Sequence, residues 1–252
     1  MSLPLKGKTA VVTGSSRGIG AAIAKRLAAD GASVVINYVS TADVALVLAE
    51  EINKEGKGSA ITIQGDMSSV ADGVRVIEKS AEHFGGHIDI VVLNAAHMVN
   101  GPLEDITEAE FDKHFTVNVK VPLFQVQAAV KYMTSGGRVI FLSSNVTLNT
   151  SVGPQVALYA ATKGAVEQFN RVLAKELGAK GITVNSVSPG ATATPLFLRS
   201  HSQEIVERTA AAHPAGRIAQ PEDIAPMVAF LSRDEASWIN GQNIYINNGS
   251  AV

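Results

Sequence analysis

The sequence predicts a single α/β domain, spanning residues 1–252, built on a doubly wound, mostly parallel sheet of seven strands with helices on both faces. Two observations lead to this fold class. Short β-branched runs alternate with segments of helical spacing, which is typical of repeated βαβ units. The runs are continuously apolar, as expected of parallel strands that helices cover on both sides. A chain of 252 residues is also of ordinary size for one α/β domain.

The elements follow one another in regular order. Strands are predicted at 9–13, 33–36, 60–63, 88–93, 138–142, 182–187 and 243–246. Helices are predicted at 18–30, 42–55, 70–84, 107–133, 157–178 and 221–232. The stretch 191–220 contains no clear element, and its apolar residues and two histidines predict a lid over a substrate, because loops of that length are often functional.

The composition excludes several classes of partner. A net charge of −2, with both signs interspersed, gives no basic stripe for nucleic acid. The absence of cysteine excludes disulfides, thiolate metal sites and a cysteine nucleophile. No apolar run approaches the roughly 20 residues of a membrane span, and the N-terminal run is too short for a signal peptide. We therefore expect a cytoplasmic protein with no membrane partner.

A glycine-rich turn follows the first predicted strand and opens a helix. Residues 13–20 read Thr-Gly-Ser-Ser-Arg-Gly-Ile-Gly. Gly14, Gly18 and Gly20 suit a turn with positive φ and close approach to a pyrophosphate, and the helix N-terminus offers free N–H groups. The strand before and the helix after favour a Rossmann-type dinucleotide site over an ordinary loop. Ser16 and Ile19 of the same turn are assigned to the cofactor as well.

The end of the second strand indicates which dinucleotide is bound. The residues Ile-Asn-Tyr-Val-Ser at 36–40 include no carboxylate to accept the ribose 2′-OH of NAD. Arg17 in the glycine turn can instead pair with a 2′-phosphate. This predicts NADP(H), with Arg17, Tyr38 and Ser40 as contacts and Asn37 beside them. The alternative, in which Arg17 is a solvated cation at a helix start, stays open.

Tyr159 and Lys163 form the predicted catalytic pair. Their i,i+4 spacing places phenol and ammonium on one helix face, although a helix-surface contact has the same spacing. A nearby cation would lower the pKa of tyrosine from about 10 and make it a workable acid or base. Ser143 and Ser144 end the strand at 138–142, where open α/β sheets bind ligands. Ser144 is assigned to hold the reacting oxygen, with Ser143 as its rival.

Together these motifs resemble the classical short-chain dehydrogenase/reductase family over nearly the whole chain. The resemblance also rests on Asp66, on Asn94 with Ala95 and Ala96, on Asn118, and on Ser188-Pro189-Gly190 with Thr194. It implies that Asp66 and Met67 approach the adenine, and that Asn94 and Ala95 shape the central cofactor pocket. Asn118 would position a water that relays protons to Lys163, which would also hold the nicotinamide ribose. Residues Pro189, Gly190, Thr192 and Thr194 would line the nicotinamide.

The chain departs from the family pattern at several places, including the chain end, which reads Asn247-Asn-Gly249 where many relatives carry Asp-Gly-Gly. Ala96 stands where the family has glycine, which adds a methyl group beside the cofactor site. Ser144 lies fifteen residues before Tyr159, farther than is usual, which implies a longer loop over the pocket.

Within the family, the segments 35–38, 143–145 and 159–166 look most like fungal naphthol and polyketide ketoreductases, with 3-oxoacyl-thioester reductases close behind. The resemblance implies an NADPH-dependent keto reductase, or secondary alcohol dehydrogenase. The substrate-facing segments carry few charges besides Arg199, Glu204, Glu207 and Arg208, which favours a mainly apolar ketone or alcohol, such as an aromatic polyketide or naphthol, over a sugar phosphate or a carboxylate. The alternatives are a 3-oxoacyl-thioester reductase, a dehydratase, epimerase or isomerase, and a catalytically silent dinucleotide-binding regulator.

Histidines and subunit contacts complete the expectations. His97 either faces the substrate or lies on an exposed loop, and the other histidines show no spacing with carboxylates that predicts a metal site. The resemblance implies a homotetramer, formed through the segment from Trp238 to Ile246 and through the helices at 107–133 and 157–178. A dimer is the alternative.

Overall fold

The computed structural model describes residues 3–252, so residues 1–2 of the predicted domain lie outside the described part. Its seven strands form one sheet in the order β3-β2-β1-β4-β5-β6-β7, and every neighbouring pair is parallel. The predicted fold class is confirmed. The strands are β1 Thr9–Val12, β2 Ser33–Tyr38, β3 Ser59–Gln64, β4 Ile90–Leu93, β5 Arg138–Leu142, β6 Thr183–Pro189 and β7 Asn243–Ile246.

Helices cover both faces of the sheet, which explains the continuous apolar runs. The α-helices are α1 Gly18–Ala29, α2 Ala42–Glu55, α3 Val70–His83, α4 Glu108–Phe115, α5 Val121–Ala129, α6 Ala157–Gly178, α7 Pro195–Ser200, α8 Gln203–Ala212 and α9 Pro221–Leu231. One apolar core joins the sheet to α1, α2 and α9, and a second joins the opposite face to α3, α5 and α6. Every residue of β4, β5 and β6 is buried.

The predicted helix at 107–133 is not one regular helix. A π-helical segment, Thr116–Lys120, separates α4 from α5. Pro122 explains the interruption, because proline has no N–H to donate and its ring clashes with the carbonyl four residues earlier. The helix also ends at Ala129 rather than at residue 133.

The prediction that 191–220 lacks regular structure is wrong, since this segment holds both α7 and α8. Each helix begins at a hydroxyl cap: the side chain of Thr194 accepts from the N–H of Phe197, and that of Ser202 accepts from the N–H of Ile205. Pro195 in the first turn of α7 adds a second start signal. Short helices of this kind leave little apolar periodicity to detect.

The strand order reverses direction between β1 and β4, and this is the point where open parallel sheets form a crevice at their carboxyl ends. The glycine turn after β1 and the residues after β4, β5 and β6 all reach this edge. Within residues 3–252, every helix is too short or too polar to cross a bilayer.

Candidate active site

A single cavity of about 1400 Å³ runs along the carboxyl edge of the sheet. All the predicted site residues line it except Gly20, Ser40 and Asn118. Tyr159 and Lys163 therefore share one cavity with Arg17 and the glycine turn, although they lie about 140 residues apart in sequence.

The three glycines of the turn are required for two different reasons. Gly14 and Gly18 have φ of 58° and 59°, in the left-handed region that other residues seldom adopt. Gly20 has ordinary backbone angles but no space, because a Cβ there would lie 2.6 Å from the carbonyl oxygen of Gly14 and 2.8 Å from the Cα of Ser15. The turn and the N-terminus of α1 thus form a backbone cradle of the kind that receives a pyrophosphate.

Asn37 stabilises the glycine turn through hydrogen bonds of its side chain. Its buried side chain accepts from the N–H of Gly14 at 2.9 Å and donates to the carbonyls of Ile63 and Gly65 at 3.2 and 3.1 Å. The side-chain amide of Asn37 therefore has its hydrogen-bond partners within the protein. In this region, Arg17 and Tyr38 are the residues whose side-chain polar groups have no partner among the described residues. Ser40 lies outside the cavity, whereas Thr41, which the sequence analysis missed, lines it 3.4 Å from the hydroxyl of Ser16.

Asn94 and Thr13 fasten β4 to the turn after β1. The amide of Asn94 donates to the carbonyls of Thr13 and Gly14 at 2.9 and 3.0 Å. The hydroxyl of Thr13 in turn accepts from the N–H groups of Asn94 and Ala95, both at 3.0 Å. These bonds fix the floor of the cavity at the crevice between the two strands.

Burial governs the pKa of both members of the Tyr159–Lys163 pair. Lys163 lies with its Nζ 5.4 Å from the centre of the Tyr159 ring and donates to the carbonyl of Leu142 at 2.6 Å. Desolvation raises the pKa of Tyr159 to about 12, although a hydrogen bond with Ser144 opposes the rise. Burial lowers the pKa of Lys163 to about 8. The expected lowering of the pKa of Tyr159 by the lysine is not seen, and the phenol keeps its proton at neutral pH.

The structure distinguishes the two serines after β5. The hydroxyl of Ser143 donates to Glu167 Oε1 at 2.9 Å, and Thr147 donates to the same oxygen at 2.7 Å. The hydroxyl of Ser143 is thus already hydrogen-bonded to Glu167, whereas the side chain of Ser144 faces Tyr159. Glu167 is a residue that the sequence analysis missed, although its position four residues after Lys163 on α6 was a detectable signal.

Asn118 lies buried in the π-helical segment and does not line the cavity. Its amide donates to the carbonyl of His97 at 2.9 Å and to the hydroxyl of Thr162 at 3.0 Å, and its oxygen accepts from the N–H of His97 at 2.8 Å. Asn118 therefore links the segment after β4 to Thr162 of α6, the residue directly before Lys163. Its role in a proton relay remains a prediction.

His97 and His114 meet at Glu110, a cluster that the sequence analysis missed. His97 lines the cavity with Nε2 2.9 Å from Glu110 Oε2. His114 Nδ1 lies 2.8 Å from the carbonyl of Glu110, while its Nε2 accepts from the N–H of Val99 at 3.2 Å. Both nitrogens of His114 are therefore engaged by backbone, and the ring has no lone pair left for a metal. Burial lowers the pKa of His114 and keeps the ring neutral.

Comparison with known proteins gives one consistent result. A family model described as "Enoyl-(Acyl carrier protein) reductase" matches residues 14–251. The chain is 42% identical to Short chain dehydrogenase mdpC of Emericella nidulans, with 98% of this chain and 96% of the relative covered. It is 40% identical to Hydroxynaphthalene reductase-like protein Arp2 of Metarhizium anisopliae, with the same shares covered.

Solved structures agree with the sequence relatives. The angucycline C-6 ketoreductase LanV with bound NADP superposes with a TM-score of 0.91 at 38% identity, over 98% of this chain and 96% of that one. At this identity the similarity extends well beyond a shared fold.

Proposed function

The chain belongs to the short-chain dehydrogenase/reductase family, and we propose that it is an NADPH-dependent carbonyl reductase. The reaction we propose is reversible transfer of a hydride between nicotinamide and a mainly apolar ketone or its secondary alcohol, with an aromatic polyketide or naphthol as the substrate class. The observation that carries the proposal is the shared cavity, which joins the glycine turn and Arg17 to Ser144, Tyr159 and Lys163.

NADP(H) fits the residues at the turn. Gly20 lets the turn pack closely against the start of α1, and Arg17 is exposed with no carboxylate partner among the described residues. When bound, the nicotinamide would supply or accept the hydride. We assign Arg17 and Tyr38 to the 2′-phosphate end, Asp66 and Met67 to the adenine, and Asn94 with Ala95 to the centre. The residues assigned to the nicotinamide are Pro189, Gly190, Thr192 and Thr194.

Tyr159 acts as the general acid in the proposed reduction. Because its pKa is raised to about 12, the phenol is protonated at neutral pH and can donate to the carbonyl oxygen. Ser144 holds the same oxygen, and Lys163 orients the ribose. In the reverse direction Tyr159 acts as the phenolate base and accepts the proton of the alcohol.

Two alternatives remain as candidates. The name of the matching family model favours an acyl-thioester substrate, as in a 3-oxoacyl-thioester reductase. A silent dinucleotide-binding regulator would keep the cavity without turnover.

The cofactor assignment is tested by titrating the protein with NADPH and with NADH. We expect Arg17→Ala to weaken NADPH about tenfold or more, because a charge-assisted contact is lost, and to leave NADH nearly unchanged. Arg171→Ala is the matched control, since Arg171 lies outside the cavity and bonds only to Gln168. Equal weakening of both nucleotides would contradict the 2′-phosphate role.

The reaction is tested by following nicotinamide absorbance with aryl ketones, cyclic diketones, quinones and 3-oxoacyl thioesters. Turnover of the aromatic ketones supports the reductase that we propose, and turnover of thioesters alone supports the alternative. Tight NADPH binding without turnover on the whole panel would favour the regulator.

A further inference from the structure

Within residues 3–252, three arginines form no hydrogen bond or ion pair through the guanidinium group. All three line the cavity. They are Arg17, Arg199 and Arg208. Each of the remaining six has a side-chain partner: Arg26, Arg75, Arg138, Arg171, Arg217 and Arg233. Arginine stays charged at every physiological pH, so three uncompensated positive charges face one cavity.

The carboxylates near the cavity do not offset Arg199 and Arg208. Asp66, beyond β3, is the one acidic residue of the described chain that lines the cavity. The residues of α8 that line the cavity are Ile205, Arg208, Thr209, Ala212 and, just past its end, His213. This is the i, i+3, i+4, i+7, i+8 stripe of one helix face. Glu204 and Glu207 lie off that stripe, and Glu207 accepts from Gln203 at 2.9 Å.

His213 provides an independent observation at the same place. Its side chain is buried, with the residue 6% exposed, and neither ring nitrogen has a hydrogen-bond partner in the protein. Buried polar groups are seldom left unpaired, because the loss of water is not compensated. His213 lines the cavity, so a ligand group that enters beside α8 can form the missing hydrogen bond.

From these observations we propose that α7 and α8 form an anion subsite, in which Arg208 and Arg199 bind an oxyanion and His213 donates a hydrogen bond to it. The preferred substrate is then a ketone with an apolar body and a carboxylate or phosphate group away from the reacting carbonyl. Guanidinium groups match both oxyanions in geometry and charge. This inference rests on the proposed reductase function and adds the charge of the substrate to it.

The subsite changes how the charges of this region are interpreted. The sequence favoured an uncharged substrate because few charges, of both signs, lie in the segments around the pocket. The structure separates the signs: the arginines line the cavity and the glutamates do not. The apolar wall remains, with Val146, Val152, Leu196 and Phe197 lining the same cavity.

Two matched pairs of probes test the subsite at saturating NADPH. One pair is benzoylpropionate and its methyl ester, and the other is acetoacetyl-coenzyme A and the acetoacetyl thioester of N-acetylcysteamine. We expect kcat/KM for the charged member of at least one pair to be about tenfold higher or more in the wild type, as one charge-assisted contact allows. Preference in the first pair identifies a carboxylate, and preference in the second identifies a carrier phosphate.

Variants on α8 make the test specific. We expect Arg208→Gln and His213→Phe each to lower kcat/KM for the charged member about tenfold, while the neutral member and the Kd of NADPH hardly change. Glu207→Gln, on the same helix but off the cavity face, is the control and should preserve the preference. Equal rates for both members of both pairs in the wild type would overturn the proposal. So would an equal loss on both members in Arg208→Gln, or a loss of NADPH affinity instead.

Calorimetry on the protein loaded with NADP+ separates this inference from the reductase proposal. Binding of benzoylpropionate or acetoacetyl-coenzyme A that Arg208→Gln weakens about tenfold supports the subsite even if no probe is reduced. In that case the reductase proposal fails alone. Binding that is equally strong to the variant, or absent for both charged probes, overturns the subsite whether or not neutral ketones are reduced.

Discussion

Tyr159 and Lys163 lie where the surroundings disfavour charge on either side chain. Desolvation raises the pKa of the phenol to about 12 and lowers that of the ammonium to about 8. Both shifts favour the neutral forms, so the pair resists becoming a phenolate beside an ammonium. An ionisable pair in a cavity whose pKa values are shifted by desolvation is typical of a catalytic site.

Replacing Tyr159 by phenylalanine removes the proposed proton donor and little else. We expect kcat to fall about 10²- to 10⁴-fold, the usual contribution of general acid catalysis, while the Kd of NADPH stays nearly unchanged. Steady-state kinetics and a fluorescence titration of NADPH measure the two effects. Tyr132→Phe, at a tyrosine outside the cavity, is the control. A Tyr159→Phe enzyme that retained most of its turnover would assign the acid to another group.

Lys163 predicts a pH dependence of stability in the cofactor-free protein. Its pKa is 10.5 in ordinary surroundings and about 8 in the folded state. Below pH 8 both states hold the proton, and between these two values only the unfolded chain does, so rising pH favours folding. Relative to Lys163→Met, the wild type should gain up to about 3 kcal/mol in free energy of unfolding between pH 7 and 10.5.

Urea unfolding of both proteins at several pH values measures this difference. Constant effects of the substitution, such as the lost hydrogen bond to the carbonyl of Leu142, cancel because only the change with pH is compared. Parallel curves for the two proteins would mean that the pKa of Lys163 is not lowered in the folded state.

At this scale the sequence predicts which residues meet but not which polar atoms remain free. The spacing of Tyr159 and Lys163 on one helix is enough to predict their shared face. The sequence does not show that Ser143 donates a hydrogen bond to Glu167, or that Asn37 donates one to the carbonyl of Gly65. Those bonds join segments that are distant in sequence. The choice between two adjacent serines depends on such partners.

Among the elements, the turn between β1 and α1 makes a steric prediction at Gly20. A Cβ there would meet the backbone of Gly14 and Ser15 at 2.6 and 2.8 Å, so Gly20→Ala has to open the turn. We expect a loss of about 1–3 kcal/mol in stability and a loss of NADPH affinity of about tenfold or more. Thermal unfolding and NADPH titration measure both.

Lys25→Ala is the control on the same helix. Lys25 pairs with Glu51 at 2.8 Å, but both side chains are about half exposed, so the pair adds little stability. If Gly20→Ala bound NADPH as well as this control does, the turn would tolerate a methyl group and its fit to a pyrophosphate would need another explanation.

The elements that the sequence predicted well are those with long apolar patterns. The strand at 138–142 and the helices at 42–55 and 157–178 agree with the structure at both ends. The π-helical segment and the two short helices of 191–220 were missed. These features have local causes. A proline in the second position of α5 follows the π-helical segment, and hydroxyl caps at Thr194 and Ser202 begin the two short helices. Such signals fix a few residues at a time and have little effect on periodicity.

For the whole molecule, the order of the strands explains why distant motifs form one site. Reversal of the strand order between β1 and β4 opens a crevice, and the loops after β5 and β6 enclose it from one side. The same topology leaves β7 at an edge of the sheet, with all four of its residues partly exposed. An open edge strand is a surface that a second chain can cover.

Exposed apolar side chains agree with the homotetramer that the family resemblance implies. Phe111 on α4 and Val172 on α6 are 45% and 53% exposed, and Trp238, just before β7, is 98% exposed. These residues lie on the two regions expected to pair subunits. The chain has a single tryptophan, so its fluorescence reports on one of these regions alone.

We predict that Trp238 is covered in the assembled protein, with emission shifted to the blue relative to the denatured chain, and that the mass in solution is four times the 26.3 kDa of one chain. Val172→Glu should split the tetramer into dimers by placing a charge in the helical interface, and Trp238 should keep its blue-shifted emission. Light scattering and fluorescence measure the two effects separately. A monomer with Trp238 in water would contradict both interfaces, whereas a wild-type dimer with Trp238 covered would leave only the pairing through β7.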